Sequence, residues 1–346
     1  MNSKLLVQYI FEQPEVIARV VNQVNSLEPD VLKRLRAAVS ESPMIYLIGS
    51  GSSLNAAYTA RSSWKALGPV EVLDPVNFML DLQKGLVRPG SVAIGISQSG
   101  QSFATVDALR KASECGAYTV SVTANSNSPI AQAAKDILLI PCGEELIGPK
   151  TKGYSATVAL LIGTALALKG TQITDESVKT IKSYLGQKDT IDSVAAACPR
   201  TNLCFVIGSG DNLGTAREGA LKIMEIAKIP SMYFDLEDSM HGPFTTLDDN
   251  SFVVVLGIDS YMQERMAGLL KILQHLGAKG ILVTSGTISP LDGASAEEGK
   301  LHCDPAADIV PIQLLANEFA ILRGENPTEL SYDRTFVRSI TKLSQS

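Results

Sequence analysis

The chain has only three histidines, no CxxC pair among its cysteines and no apolar run long enough to cross a bilayer. Each shortage removes a class of function. The five cysteines (Cys115, Cys142, Cys198, Cys204, Cys303) are scattered, so a disulfide framework and a zinc site are both unexpected. Unpatterned thiols point to a reducing, cytoplasmic setting. The longest apolar stretch, ATVALLIGTALAL at 156–168, reads as a buried helix. The opening MNSKLLVQYIFEQPEV carries Glu and Pro where a secretory signal needs an unbroken apolar core. Basic charge is also scarce: the net charge of −6 argues against nonspecific nucleic-acid binding. Charged residues are 19% of the chain, a low share that fits surface buried against other subunits.

Apolar residues, at 45% of 346, are enough for a sizeable core in one large domain or two of ordinary size. The tetrapeptide IGSG occurs twice, at 48–51 and 207–210, each time ending an apolar strand (MIYLIGSG, LCFVIGSG) and preceding a helical pattern. The matching context predicts an internal duplication. Strands are expected at VEVLD (70–74), SVAIGI (91–96), AYTVSV (117–122) and DILLIP (136–141) in the first half. In the second they are expected at SMYFD (231–235), SFVVVLG (251–257), GILVT (280–284) and ADIVPI (307–312). Their continuous apolarity implies parallel sheets covered on both faces. The fold class is therefore α/β: two tandem doubly wound parallel-sheet domains in flavodoxin-like order. The boundaries are 1–40 for an N-terminal helical segment, 41–170 and 201–330 for the two sheet domains, 171–200 for a helical connector and 331–346 for a tail.

Ligands of open parallel sheets sit at the carboxyl ends of the strands. The stretch SQSGQS at 97–102 stands at such an end. Gly100 permits a tight turn, Ser97, Ser99 and Ser102 bring hydroxyls, Gln98 and Gln101 bring amides, and a helix start adds backbone N–H groups. Together they form a neutral cradle suited to phosphate. Ser52 and Ser53, after the first IGSG, add further donors. Plain helix capping needs one serine, not three with two glutamines. No GxxxxGKS and no complete GxGxxG is present, which removes nucleotide triphosphates and dinucleotides.

In AREGALKIMEIAK, Glu218, Lys222 and Glu225 share one helical stripe while apolar residues fill most of the circumference. Such a stripe is either an ordinary ion-paired face or a site. His241 follows in DSMHGP, a Gly-Pro turn, and is the histidine best placed for proton transfer. His275 reads as a helix-end residue, and His302 lies in a polar loop without a role.

SQSGQS after an apolar strand, with EGALKIMEI followed by MHGP, resembles the sugar isomerase (SIS) family over about residues 40 to 340. The arrangement is similar to the isomerase half of glucosamine-6-phosphate synthase and to fructosamine-6-phosphate deglycases. The resemblance implies that Ser53, Ser97, Gln98, Ser99 and Ser102 hold a sugar phosphate. It implies that Glu225 moves a proton between C1 and C2, and that His241 assists ring opening, often from a neighbouring subunit. Ser52, Glu218 and Lys222 become secondary contacts. A homodimer or larger assembly is implied, with no cofactor, no metal, no nucleic acid and no membrane partner. The second half reads VLGIDS (255–260) where SQSG would recur, so no second phosphate site is expected.

The family's LAKSVT segment reads FVRSIT at 336–341, which puts Arg338 where a lysine forms an imine with the sugar. A guanidinium cannot form that imine, and Arg338 is instead a candidate contact for a sugar oxygen or a carboxylate of the substrate. The chain also begins without room for a glutaminase domain, and about forty residues ahead of the first strand are too few for a helix-turn-helix regulator. These features favour a deglycase of 6-phosphorylated Amadori compounds over a phosphosugar isomerase or a non-catalytic sugar-phosphate sensor. Lys150 and Lys152, in IGPKTKGYS, are candidates for the mouth of the site, there to meet an acidic amino-acid portion.

Overall fold

The computed structural model describes residues 3–258, 262–284, 286–295, 303–329 and 332–343. Asp259 and Ser260 of VLGIDS, His302 and the outermost residues of the expected end segments lie outside them. In chain order the elements are α1 (Ser3–Phe11), α2 (Gln13–Asn25), α3 (Pro29–Glu41), β1 (Ile45–Gly49), α4 (Ser52–Lys65), β2 (Val70–Leu73), α5 (Pro75–Gln83) and β3 (Val92–Ile96). Next come α6 (Phe103–Glu114), β4 (Tyr118–Thr123), α7 (Pro129–Gln132), β5 (Asp136–Leu139), α8 (Lys152–Leu168), α9 (Glu176–Leu185) and α10 (Lys188–Ala196). The second half follows with β6 (Leu203–Ile207), α11 (Asn212–Ala227), β7 (Ser231–Phe234), α12 (Leu236–Ser239), β8 (Ser251–Leu256) and α13 (Gln263–His275). It closes with β9 (Lys279–Thr284), β10 (Thr287–Pro290), α14 (Val310–Leu322) and α15 (Arg334–Thr341).

Contacts divide the chain into two units. One joins residues 16–145, 153–174 and 330–346; the other joins 1–15, 146–152 and 175–329. The first unit holds a five-stranded sheet in the order β2-β1-β3-β4-β5, all parallel. β1 and β3 are buried along their whole length, as a sheet covered on both faces requires. One face carries α5, α6 and α7 over a cluster that includes Tyr46, Phe78, Val106, Leu109 and Ile130. Elsewhere in this unit Trp64 of α4 donates its indole N–H to the Leu161 carbonyl of α8 at 3.1 Å. The edge strand β5 is tied to α3 by Arg34, whose guanidinium meets Asp136 at 2.6 Å.

The second unit repeats the plan in the order β7-β6-β8-β9-β10. Its first four strands are parallel, and β10 is an antiparallel edge formed by a hairpin from β9. Phe205, Val253, Val255 and Leu282 pack under Leu269, Leu270 and Leu273 of α13. Elsewhere in the unit Phe252 meets Phe319 of α14 edge-on, ring centres 5.1 Å apart.

Two expectations need correction. ADIVPI is not a strand: Val310 opens α14, with Pro311 in its first turn, where a missing N–H costs nothing. The fifth strand is instead TISP, four residues at the edge. The stretch expected as a connector contains α9 and α10, which belong to the second unit, as does α1.

Candidate functional site

In the first unit, β3 ends at Ile96 and the SQSGQS loop turns directly into α6. The loop backbone is pinned from several sides. Ser97 N–H donates to Val122 O at 3.0 Å, Ala124 N–H to Gln98 O at 2.9 Å and Ile130 N–H to Gly100 O at 3.1 Å. Gly100 has φ of +69°, and a Cβ there would lie 2.1 Å from Ser128 Oγ. Only glycine fits both the left-handed backbone and the space.

The hydroxyls do not cap the helix. Ser102 occupies the N-cap of α6 without a capping bond; its Oγ accepts from Thr105 Oγ1 at 3.0 Å and keeps its own proton to donate. Ser97 is buried and its Oγ lies 3.5 Å from Ser102 N, while Ser99 is exposed and its Oγ lies 3.4 Å from Gln101 N. Three hydroxyls thus bracket one tight turn at a helix start whose first N–H groups no cap side chain has taken. Gln98 is directed differently. Its Nε2 lies 3.2 Å from Glu145 Oε2 and 3.5 Å from Cys142 Sγ, and a Cβ on Gly153 would come within 2.2 Å of it. No local pattern points to Glu145, because a long loop brings it there. The β1–α4 turn, with Gly51 at φ +57° as N-cap, sets Ser52 and Ser53 in the first turn of α4, partly open.

The same corner of the second unit is filled from within. Gly257 follows β8 and donates to Val283 O at 2.8 Å, as Ser97 follows β3 and donates to Val122 O. Asn212 stands in IGSGDN where Ser53 stands in IGSGSS. Its Nδ2 donates to Gly257 O at 2.8 Å and to Asp308 Oδ2 at 2.9 Å. Asp308 is fully buried and also accepts from Tyr184 Oη at 2.7 Å and Asp304 N at 3.0 Å. Burial, with Asp304 nearby, pushes its carboxyl up to about 7.

α11 carries the polar stripe. Glu218 and Lys222 are buried completely, and the Lys222 ammonium lies 3.3 Å from Glu218 and in direct contact with Glu225. Burial opposes the lysine's charge, but the two carboxylates outweigh it and raise its pKa above the ordinary value. Glu225 keeps 29% of its side-chain surface open. One carboxylate is therefore presented to solvent, anchored from below by an obligate cation. α11 ends at Lys228, left-handed at φ 58°, whose ammonium donates to the Glu225 and Glu329 carbonyls at 2.6 Å each.

The remaining candidates are separate. His241 follows α12 with its side chain 73% exposed, and its Nε2 lies 3.5 Å from Glu237, which is itself held bidentate by Arg265. Lys150 donates to Ile147 O at 3.1 Å. Lys152 does not line a mouth: it is buried, paired to Glu12 at 2.6 Å and set over the Tyr9 ring. Arg338 is exposed on α15. A cavity of about 570 Å³ lies at the amino ends of the second sheet, among Cys198, Gln274, Lys279 and Leu291, and includes none of these candidates.

Comparison with known proteins gives the family. The SIS domain family model matches residues 39–167 and 201–323, most of the chain. The glutamine–fructose-6-phosphate aminotransferase (isomerizing) of Zymomonas mobilis is 27% identical, over 96% of this chain and 58% of its own length. This chain spans about half the length of the curated relatives it matches. Among solved structures, the C-terminal domain of glucosamine-fructose-6-phosphate aminotransferase from Francisella tularensis superposes with a TM-score of 0.78 at 23% identity, covering 94% of this chain and 97% of that one. Tagatose-6-phosphate ketose/aldose isomerase from Escherichia coli superposes with a TM-score of 0.80 at 18% identity, covering 95% and 97%. Two matched segments, each built on the same five-stranded plan, place this chain in the SIS domain family.

Proposed function

We propose that the chain is a phosphosugar-converting enzyme, a deglycase of 6-phosphorylated Amadori compounds. The observation that carries this reading is the Lys222–Glu225 pair: a carboxylate held beside a buried ammonium and still open to a substrate. A base for carbon acids needs that combination of charge and access. The hydroxyl-rich turn at Ser97, Ser99 and Ser102, with Ser53, supplies the neutral donors a sugar phosphate needs.

In the proposed reaction the open-chain aminoketose gives its C1 proton to Glu225, and the C2 oxygen takes a proton. The resulting enaminol is reprotonated at C2 while the nitrogen loses its proton, leaving an imine at C1. Water adds to C1 and the C–N bond breaks, releasing an aldose 6-phosphate and an amine or amino acid. Arg338, standing where the family resemblance would put an imine-forming lysine, leaves hydrolysis by water as the exit. His241 assists ring opening. Its high exposure suits a residue completed by a second copy of the chain, and the proposed assembly is a homodimer or larger. The proposed setting is the cytoplasm. Among the described residues no helix is long and apolar enough to cross a membrane.

The test is a panel of 6-phosphorylated Amadori compounds assayed for amine release, with ketose and aldose 6-phosphates alongside. Amine release that disappears in Glu225→Gln supports the deglycase. Ketose–aldose conversion without amine release replaces it with an isomerase, and binding without turnover replaces it with a sensor.

A further inference from the structure

The phosphate cradle described above has a gap in its chemistry: SQSGQS carries no positive charge. A sugar phosphate is close to a dianion at neutral pH. Neutral donors orient such a group, but the strong contacts to it come from cations.

The fold brings one cation to this loop from far along the chain. Asp333 caps α15 by accepting from Thr335 N at 2.8 Å and Phe336 N at 3.3 Å. After α15 the chain turns extended at Lys342, which forms an isolated antiparallel bridge with Ser102. The next residue continues the docking: Leu343 N–H donates to Gln101 O at 2.9 Å, and its side chain packs on the cluster of Tyr46, Phe78, Val106 and Leu109. The tail is therefore docked beside the cradle by a backbone bridge, which includes the Leu343 N–H to Gln101 O bond, and by the apolar contact of Leu343.

Residues directly opposite in an antiparallel pair project to the same face, with Cβ atoms about 5 Å apart. Ser102 and Lys342 are such a pair, so the Lys342 side chain leaves the backbone on the same face as the Ser102 hydroxyl. We infer that Lys342 is a specificity-determining residue, the cation that completes the phosphate subsite and selects a phosphorylated sugar over a neutral one. This inference rests on the reading of SQSGQS as the phosphate cradle. It also explains why the tail is docked at Lys342 and just beyond it: a lysine on a free tail would lose more side-chain and backbone entropy on binding.

The test is calorimetric titration of the full chain with fructose 6-phosphate and with inorganic phosphate. Lys342→Gln is compared with Lys342→Arg and with the double variant Ser97→Ala/Ser99→Ala. The expected result is about a tenfold weaker Kd for Lys342→Gln, the order of one charge-assisted hydrogen bond, with most of the affinity kept in Lys342→Arg. The salt dependence of binding should also flatten in Lys342→Gln. If the serine variant loses binding while Lys342→Gln matches wild type at low and high salt, the role of Lys342 is overturned and the cradle stands. If the serine variant binds both probes as wild type does, the cradle reading itself falls, and this inference with it.

Discussion

Lys222, fully buried, holds its ammonium against the carboxylate of Glu225, which is the one member of the α11 stripe with side-chain surface open to solvent. The pair separates two roles that a sequence pattern merges: Lys222 is structural in position, and Glu225 is accessible.

Glu225→Gln should therefore lower kcat by at least about a hundredfold, the usual loss when a positioned base is removed. The affinity for fructose 6-phosphate should stay within about twofold, because the substitution keeps shape and leaves the loop of the other unit untouched. Steady-state kinetics with calorimetry checks both. Wild-type kcat in this variant would remove Glu225 from the reaction.

Lys222→Met should act on stability first. It takes away the ammonium that lies 3.3 Å from Glu218, which is wholly buried, and puts an apolar side chain in its place. Breaking a buried pair by removing one partner costs about 3–5 kcal/mol. Urea unfolding should show a loss of that order. Adding Glu218→Gln should recover part of it, and a Lys222→Met protein as stable as wild type would mean that the stripe is not held by its charges.

Gly100→Ala should damage the loop more than most alanine substitutions. The backbone is left-handed at φ +69° and the new methyl would collide with both Ser128 Oγ and Cβ, 2.1 and 2.2 Å away. Strain of this kind is worth about 1–3 kcal/mol. A lower Tm together with a raised KM for the phosphorylated substrate is the expected pair of changes. A raised KM without any loss of Tm would show that the loop shifts freely and stores no strain.

Asp308 sets a pH dependence with a definite sign. Burial raises its carboxyl from 3.8 to about 7 in the folded chain. A group with a raised folded pKa contributes stability that is complete below pH 3.8 and is lost as the pH rises through 7. The full span amounts to on the order of 4 kcal/mol. Unfolding free energies measured from pH 4 to pH 7.5 should fall more steeply with pH in wild type than in Asp308→Asn. Equal slopes in the two proteins would show that the carboxyl titrates normally.

Much of the fold was legible because it is written in period and punctuation. Parallel strands buried on both faces read as continuous apolar runs, and IGSG marked the start of each half. ADIVPI misled for the same reason: α14 is apolar around most of its surface, so no helical period shows, and its proline belongs to a helix start. TISP escaped because an edge strand of four residues, part polar, carries almost no pattern. At the site, the serines of SQSGQS were readable as a cluster. Glu145 behind Gln98, Asp308 behind Asn212 and Lys342 opposite Ser102 were not, since each comes from a remote segment and local spacing holds no trace of it.

The carboxylate that Asp308 places beside Asn212 makes the two copies of the duplicated plan unequal in what completes them. One copy carries its own carboxyl group and is finished on folding; by the reading above, the other is finished when substrate arrives. A ligand that binds only the folded state rescues damage only where it makes contact. Weakening substitutions near Gly100 should then be masked in cells rich in sugar phosphate. Equivalent lesions around Asn212 should remain visible at any metabolite level, so that inherited defects in the two halves would differ in their response to diet or growth medium.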